Sequence, residues 1–308
     1  MTGVSEPDWI TQGEYIPPLV SVLVRTRDRP ESLKKALNSL LAQRYPQIEV
    51  VLVNDGSTEI DPGCQEIAGK LAAFQLVRPE PGGNRVRAAN AGLEAASGSY
   101  LIFLDDDDWF YPDHLAKLVS ALEHETTAGL AYTGVECVRQ DEAGGESHVV
   151  HTFNQSFEHT FLLLRNFIPI HAAMFRRHFV DEGLRLDASL THYEDWDFWV
   201  QLAARTAFHY VPGISACYYL GQGSGFGVGF GGGNQPAHED RFFAKWRKLW
   251  SAQDLRGIVD YARKVPEFRQ MAHEAEIQKQ EVQQAHVQTL DQLRSARAQQ
   301  QDLQARHD

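Results

Sequence analysis

Four consecutive aspartates, Asp105 to Asp108, follow an apolar run in the stretch YLIFLDDDDWFYPDHL. In an extended chain successive side chains alternate between faces, so Asp105 and Asp107 share one face and Asp106 and Asp108 share the other. Two carboxylates within about 4 to 6 Å raise each other's pKa unless a cation or hydrogen-bond donors compensate. This density of negative charge therefore predicts a positively charged partner.

The same carboxylates could instead form a solvated acidic turn or cap a helix, since apolar residues at helical spacing follow them. We expect Pro112 at the first position of that helix, which makes Tyr111 the cap residue and leaves none of the four aspartates in that place. An EF-hand loop is excluded because, counted from Asp105, the sixth residue is not glycine and the twelfth is not glutamate. A divalent metal held together with an anionic ligand is favoured.

A second acidic motif occurs in the stretch HYEDWDFW. Thr191 followed three residues later by Glu194 predicts a capping box at the start of a helix that buries Trp196. Asp195 is not needed for that cap, and the helix dipole favours its ionised form in the first turn. An ionised carboxylate in this place suits a general base that accepts a proton from a hydroxyl. We expect Asp197 to face solvent or to be structural.

The whole chain has 308 residues, 43% hydrophobic content and a formal net charge of −12. This balance argues against a general surface for nucleic acid or anionic membranes, although five arginines can form a local anion site. The three cysteines form no C-x-x-C pair, so neither a zinc site nor a disulfide framework is predicted. We find no leader-like segment and no apolar run of about 20 residues, and we expect a cytoplasmic protein, peripheral at most at the inner face of the membrane. The five arginines are Arg25, Arg27, Arg29, Arg85 and Arg87.

The elements that must position these residues alternate between two patterns. Short β-branched runs typical of buried parallel strands alternate with segments whose apolar residues have helical spacing. In open α/β sheets, ligands bind outside the carboxyl ends of the strands, and both VNDGS and DDDD lie at such ends. Two acidic segments are therefore predicted to face one crevice. The predicted strands cover residues 19–25, 48–53, 74–79 and 100–104. One predicted helix begins at Pro30, and another covers residues 87–96.

The last third of the chain has a different composition. Residues 221–234 contain eight glycines and are interpreted as a mobile loop, with a linker and a functional lid as alternatives. No glycine or proline follows Pro266, which predicts a long helix, and its ragged apolar stripe is compatible with a coiled coil. We expect self-association or partner docking through that helix. The predicted division is an arm at 1–17, a main domain at 18–236, a helical segment at 237–266 and the long helix at 267–308.

Taken in order, the motifs resemble the inverting family 2 glycosyltransferases with the GT-A fold, from Pro18 to about Ser224. The stretch PLVSVLVRTRDRPESLKKALNSLLAQRYPQIEVVLVNDGST resembles the nucleotide-binding opening, and ANAGLEAASGSYLIFLDDDDWFYPDHL resembles the segment with the D-x-D signature. NFIPIHAAMFRR and LRLDASLTHYEDWDFWVQLA resemble the acceptor-side half with its E-D motif. The resemblance implies an α/β GT-A fold, with a Rossmann-like nucleotide-binding half and a mixed sheet, followed by a C-terminal α-helical extension.

The resemblance also implies an activity: transfer of a sugar from a nucleotide-sugar donor, expected to be UDP-linked, to a hydroxyl of a glycan or lipid-linked glycan. Mn²⁺ or Mg²⁺ bridging the donor diphosphate to a carboxylate would supply the missing cation. Asp107 is implied as the metal ligand, Asp195 as the catalytic base and Asp55 as the reader of the base edge. From spacing alone, Asp55 is equally well explained as an Asx-turn residue. The implied donor-binding residues are Thr26, Arg27, Asp55, Arg85, Arg87, Asn90, Asp105 and Asp106, and the implied acceptor-binding residues are Trp109, His171, Glu194 and Trp196.

Two positions depart from the family pattern. Many relatives have an arginine directly before the asparagine that aligns with Asn90, whereas this chain has Ala89 there. Relatives often carry a late histidine that helps to hold metal, and the corresponding stretch CYYLGQGS has none, which leaves His171 and His192 as candidate replacements. Two other functions stay open: a nucleotidyltransferase, and a non-catalytic scaffold with a degenerate transferase domain.

Overall fold

The structure, a computed structural model, divides the chain into two units, Met1–Trp250 and Ser251–Asp308. The first unit contains every motif that the sequence analysis singled out. The second contains only the C-terminal helix. The residues that the structure describes are 16–79, 84–140, 147–190, 192–221 and 236–305.

The first half of the first unit has the predicted alternation of strands and helices. Its strands run parallel in the order β3-β2-β1-β4, and β1 and β2 are buried along their whole length, as their β-branched sequences predicted. Helix α1 begins at Pro30 and buries its apolar stripe, which confirms the helical spacing. The elements are β1 (Val20–Thr26), α1 (Pro30–Leu41), β2 (Ile48–Asn54), α2 (Pro62–Ala68), β3 (Ala73–Val77), α3 (Arg85–Ala95) and β4 (Tyr100–Asp105).

The second half extends the same sheet with antiparallel pairs, which confirms the mixed sheet. Strand β8 pairs antiparallel with β4 and with β6, and β6 continues in parallel to β9. A two-residue strand, β5, directly follows the aspartate run and pairs with β9. The elements are β5 (Trp109–Phe110), α4 (His114–His124), β6 (Ala128–Gln140), β7 (Ser147–Phe153), α5 (His159–Leu164), β8 (Ala173–Arg176), α6 (His178–Asp181), α7 (Glu194–Ala203) and β9 (Ala207–Tyr219).

Two predicted helix starts are wrong. Helix α4 begins at His114 rather than at Pro112, because the chain before it is still bonded to β9. Helix α7 begins at Glu194 itself, and Tyr193 occupies the cap position in a left-handed conformation with φ 62°. Glu194 is therefore the first helical residue, whereas the predicted capping box requires it at the third position. Thr191 lies outside the described residues.

The C-terminal helices also differ from the predicted boundaries. Helix α8 (Pro236–Trp246) belongs to the first unit, and α9 (Ala252–Ala305) forms the second. Helix α9 continues through Pro266, so the loss of one backbone hydrogen bond there does not end it. Within the described residues, none of the helices combines the length and apolar character needed to cross a membrane. The glycine-rich residues 222–235 lie outside the described part of the chain, as do the side chains of Val282, Leu290, Leu293 and Leu303.

Candidate active site

The sheet register brings the two acidic segments to one edge. Strand β1 lies between β2 and β4, and Arg25 pairs in register with Val53 on one side and with Asp105 on the other. The loop VNDGS and the aspartate run thus leave the sheet next to each other. The register thus confirms that the two acidic segments begin at neighbouring strand ends, and the crevice between them stays a prediction.

The aspartate run forms a turn in which its side chains separate into two pairs. The backbone N–H of Asp108 donates to the carbonyl of Asp105 over 3.1 Å. Asp106 and Asp108 are fully buried, whereas the side chains of Asp105 and Asp107 are 33% and 17% exposed. The predicted pairing of faces is therefore preserved, although the chain is not extended.

Arginines of β1 and the following loop supply much of the predicted positive charge. Arg25 lies 2.6 Å from the carboxylate of Asp105. Arg29 lies between two others, 2.9 Å from Asp106 and 2.7 Å from Asp107. The run is therefore partly neutralised by the chain itself, and any further cation has to share the carboxylates with these arginines.

The ionisation of these carboxyls differs from one to the next. Burial raises the pKa of Asp106 to about 6, although the hydroxyl of Thr26, which donates over 2.7 Å, and Arg29 favour its charged form. Burial and the neighbouring charge of Asp105 raise the pKa of Asp107. Asp105 is the exception, because its paired arginine outweighs burial and lowers its pKa. Thr26 and Asp106 were expected to contact the donor, but both are buried and bonded to each other, so they stabilise the turn instead.

Asp108 and His171 form a buried pair below the turn. One oxygen of Asp108 accepts the backbone N–H of Tyr219 over 2.9 Å, and the other lies 3.1 Å from Nδ1 of His171. Burial raises the pKa of Asp108 well above its usual range and lowers that of His171 to about 4. Because His171 is only 1% exposed, the expected acceptor contact has no accessible surface there.

The carboxylate of Asp195 is held at the start of α7 by two donors. The side-chain amide of Asn166 donates to one oxygen and the backbone N–H of Trp196 to the other, each over 2.8 Å. Burial and the adjacent charge of Glu194 raise the pKa of Asp195, while Arg85 opposes that shift. The two donors orient the carboxylate, and its raised pKa lies closer to neutral pH. Both properties suit a general base.

Arg85, the first residue of α3, connects the two acidic motifs. Its guanidinium lies 2.5 Å from the carboxylate of Glu194, so Glu194 forms an ion pair instead of a cap. Its backbone carbonyl accepts a hydrogen bond from Arg25 over 3.5 Å. The charges of Asp195 and Asp105 both act on Arg85. The positive charge of Arg85 therefore interacts with acidic residues of both the aspartate turn and α7.

The structure distinguishes the two interpretations of Asp55. The turn after β2 is closed by its neighbour Asn54, whose side-chain oxygen accepts the N–H of Gly56 over 2.9 Å. Within the described residues, the carboxylate of Asp55 has no hydrogen-bond partner. Burial raises its pKa, and Arg27 opposes that shift. Asp55 is not the Asx-turn residue, and its carboxylate stays available to a ligand.

Asp28, in the loop after β1, fixes the loop after β2 through hydrogen bonds. Its carboxylate accepts the backbone N–H of Thr58 over 3.0 Å and the hydroxyl of Thr58 over 2.6 Å, and it also bonds Ser57. These bonds lower the pKa of Asp28 to about 2. Asp28 has a φ of 54°, and a Cβ on Gly56 would lie 2.5 Å from its carboxylate. The loop that carries Asp55 therefore has little freedom.

Two predicted binding residues have packing roles instead. The carboxamide of Asn90 forms two hydrogen bonds of 2.9 Å with the backbone of Leu186, which joins α3 to the segment before α7. Trp196 is 3% exposed, its indole N–H donates to Leu162, and its ring stacks on Phe242 with a centroid distance of 3.7 Å. Neither side chain is available to a donor or an acceptor.

The remaining predicted residues lie at the surface of the site. Arg27 and Arg87 are exposed, and neither has an ion-pair partner among the described residues. Trp109 is partly exposed, with its ring 5.9 Å from that of Tyr219. These side chains are placed where a ligand can reach them, and their roles stay predictions.

Helix α8 anchors α7 through Asp197. This carboxylate is fully buried, lies 2.7 Å from the ammonium of Lys245 and accepts the indole N–H of Trp246 over 2.8 Å. Lys245 also binds Asp187 over 2.8 Å. Asp197 is thus structural, and the alternative that it faces solvent is wrong. Sequence patterns gave no signal for this partner, whereas Asn166 could have been singled out as the polar residue that opens NFIPIH.

The donor set at the turn fits one mode of metal binding. No group of three His, Cys, Asp or Glu side chains that could hold a metal occurs among the described residues. One oxygen of Asp107 binds Arg29 over 2.7 Å, and the side chain keeps 17% of its surface exposed. Mg²⁺ is commonly bound by one or two carboxylates together with substrate phosphates. The residues therefore fit a cation that binds together with a diphosphate.

Comparison with known proteins identifies the class. The model of the family described as glycosyl transferase family 2 matches residues 21–184, and the chain belongs to that family. The uncharacterized glycosyltransferase YwdF of Bacillus subtilis is 28% identical over 65% of this chain and 73% of its own length. The putative glycosyltransferase EpsH of the same organism is 35% identical, but over 35% of this chain and 32% of its own length.

Solved structures establish the GT-A fold. Residues 1–349 of S. aureus TarS superpose with a TM-score of 0.52 at 18% identity, over 65% of this chain and 60% of that one. The mannosyltransferase PcManGT from Pyrobaculum calidifontis, solved with GDP-Man and Mn²⁺, gives a TM-score of 0.52 at 18% identity, over 81% of this chain and 70% of that one. The predicted fold class is confirmed.

Proposed function

We propose that the protein is an inverting glycosyltransferase that uses a nucleotide diphosphate sugar, with UDP as the expected nucleotide, and a glycan or lipid-linked glycan acceptor. One observation carries the proposal: Arg85 links the arginine-paired aspartate turn to the separately held carboxylate of Asp195. TarS has been solved with UDP and with UDP-GlcNAc, and PcManGT with GDP-Man, which supports a nucleotide-sugar donor.

On the acceptor side, Asp195 accepts the proton of the acceptor hydroxyl as that oxygen attacks the anomeric carbon. The bond from the anomeric carbon to the diphosphate breaks in the same step, so the configuration at that carbon inverts. Asn166 and the backbone N–H of Trp196 hold both carboxylate oxygens, which fixes the direction of proton transfer. A general base works best when its pKa lies near the working pH, because it is then ionised and still binds a proton well.

On the donor side, Asp55 binds the edge of the base, and the exposed guanidinium groups of Arg27 and Arg87 bind the diphosphate. Asp107 is the residue that would hold Mn²⁺ or Mg²⁺, through a carboxylate that is partly exposed. When bound, such an ion neutralises charge that develops on the leaving diphosphate. Arg29 keeps the neighbouring carboxylates compensated.

The proposal is tested first by the products formed from a UDP-sugar. A glycosyltransferase releases UDP, a nucleotidyltransferase releases pyrophosphate, and a scaffold binds the nucleotide without turnover. Pyrophosphate release, or binding of the donor without any turnover in the presence of acceptor, would reject the proposed activity.

Calorimetry with UDP then tests the metal ligand. Asp107→Ala should remove the Mn²⁺-dependent part of the affinity, whereas Asp113→Ala should leave it unchanged, because Asp113 is an exposed residue paired with Arg44. Asp106→Ala is a poor control, since that carboxylate is buried and bonded to Thr26. Unchanged metal dependence in Asp107→Ala would remove this residue as the ligand.

Self-association or partner docking through α9 is part of the same proposal. It is supported by large apolar side chains that this helix leaves exposed. They are Leu255, Val259, Phe268, Met271 and Ile277.

A further inference from the structure

A cavity of about 440 Å³ opens between α1, β5 and the ends of β6, β7 and β9, within the size range of small-molecule sites. We call it the Trp109 pocket. Trp109 was implied above as an acceptor-binding residue, and the other lining residues have no role assigned so far. The lining residues used below are Lys35, Asn38, Trp109, Gln140 and Tyr219.

Two aromatic rings form the apolar part of the pocket. The rings of Trp109 and Tyr219 have a centroid distance of 5.9 Å and are tilted by 42°. The hydroxyl of Tyr219 donates to the side-chain oxygen of Gln140 over 3.0 Å, and Trp109 is fixed by strand pairing with Cys217. The rings are therefore held in place. Their faces carry the negative part of the aromatic quadrupole and attract the weakly positive C–H groups of a sugar ring.

Three polar groups of the pocket are not engaged by the described chain. Among the described residues, the indole N–H of Trp109, the carboxamide of Asn38 and the ammonium of Lys35 have no hydrogen-bond or ion-pair partner. The ammonium lies 5.9 Å from the centre of the Tyr219 ring. Aromatic faces combined with a few convergent polar groups are typical of ligand sites. The hydrogen-bond donors and the amide oxygen can bond the hydroxyls of a saccharide. The aromatic faces beside them can pack against its C–H groups.

We propose that the Trp109 pocket binds a saccharide unit of a glycan. Lys35 places a positive charge among the described lining residues, which suits an acidic saccharide. A nucleotide is a weaker candidate, because Lys35 alone would face its diphosphate, whereas several arginines serve that purpose at the strand ends. Saccharide binding itself does not depend on the proposed transferase activity; only the role of the bound glycan as acceptor does.

The pocket is joined directly to the aspartate turn. Trp109 follows Asp108 in sequence, and the buried carboxylate of Asp108 accepts the backbone N–H of Tyr219 over 2.9 Å. Both aromatic residues are therefore positioned by the same turn that positions Asp107. A glycan held by these rings would lie beside the transfer site, which connects recognition of an extended acceptor to the reaction.

The test uses the full chain on an array of immobilised neutral and acidic saccharides. The wild-type protein should bind a subset dominated by acidic glycans, and Trp109→Ala should weaken that binding by about fivefold, since a stacked aromatic contact is worth about 1 kcal/mol. Lys35→Gln should reduce binding of the acidic members most. Lys70→Gln changes an exposed lysine just after α2 that pairs with Glu66; it is the matched control and should have no effect.

Two further variants keep the outcome interpretable. Asn38 is exposed on α1, so Asn38→Ala tests the pocket without disturbing the core. Trp109→Phe keeps an aromatic face and should retain part of the binding. UDP affinity with Mn²⁺ should stay unchanged in Lys35→Gln and Asn38→Ala. The proposal would be overturned if the wild-type protein bound no saccharide. It would also be overturned if both Trp109→Ala and Asn38→Ala bound saccharides as tightly as the wild type. Saccharide binding without UDP binding would reject the donor site and leave the pocket standing.

Discussion

Replacing Lys245 with methionine tests how α8 supports the proposed base. The ammonium of Lys245 lies 2.7 Å from the buried carboxylate of Asp197, two residues beyond Asp195 in the same helix. The substitution leaves Asp197 with two neutral donors, the indole N–H of Trp246 and the amide of Gln201, each at 2.8 Å. A buried charge would thus lose its countercharge but keep part of its hydrogen bonding.

The size of the effect follows from this geometry. Removing one partner of a buried ion pair costs about 3 to 5 kcal/mol, and the two remaining donors and the partial exposure of Lys245 place this variant near the lower end, at about 3 kcal/mol. In a unit of this size each kcal/mol lowers the Tm by about 2 to 4 °C, which predicts a loss of about 6 to 12 °C.

The loss should also depend on pH. Burial already raises the pKa of Asp197 in the folded protein, and without Lys245 that pKa rises further. A raised folded pKa means that the neutral form is favoured in the folded state, so the penalty is largest when the carboxylate is forced to ionise. The destabilisation should therefore be greater at pH 8 and shrink as the pH falls through the raised pKa.

Differential scanning calorimetry at pH 8 and pH 5 measures both effects. Lys248→Met, an exposed lysine just after α8, is the matched control and should change the Tm little. Lys245→Arg should recover part of the stability by keeping the charge. In activity assays Lys245→Met should lower kcat more than UDP affinity, because α7 carries Asp195. A Tm loss that is the same at both pH values, or equal in Lys248→Met, would refute the reasoning.

Three further outcomes are expected. Asp195→Asn should lower kcat by about 10² to 10⁴-fold with little change in donor affinity, and near-normal turnover with an identified acceptor would remove Asp195 as the base. Glu194→Gln removes a charge that raises the pKa of Asp195, so the acid limb of the rate profile should move to lower pH; an unchanged limb would mean that Asp195 does not control it. Asp28→Ala should weaken UDP binding by releasing the loop that carries Asp55, whereas Asp28→Asn, which tolerates the left-handed backbone, should weaken it less; equal calorimetric affinities of both variants and the wild type would contradict this role.

The sequence predicted the frame of the site because the relevant signals are local. β-branched runs at Val20–Thr26 and Ile48–Asn54, and the helical spacing after Pro30, each report a buried face within a single element. The topology rule for parallel sheets then places the segments after β2 and β4 at one edge. Asp105, Asp107 and the loop around Asp55 could be placed together on that basis.

Hydrogen-bond partners were less predictable, because many of them come from distant parts of the chain. Glu194 could cap its own helix or pair with a residue 109 positions away, and the structure has the second. The side-chain amide of Asn90 is hydrogen-bonded to the backbone of a residue 96 positions further on, so it is not available to a nucleotide-sugar donor. Asn54, not Asp55, closes the turn after β2, which no spacing rule distinguishes. Such choices follow from tertiary packing, which the local pattern does not contain.

The position of β4 in the sheet has a consequence for how the chain reaches its native state. Strand β1 pairs with β4 across 80 residues, Val20 opposite Tyr100, so this parallel contact closes only after a long segment has been synthesised. Until β8 arrives, at Ala173–Arg176, the apolar β4 presents an open edge that can recruit other chains. Ribosomal pausing or truncation between these strands would therefore produce aggregation-prone chains, whereas synthesis through β8 covers that edge.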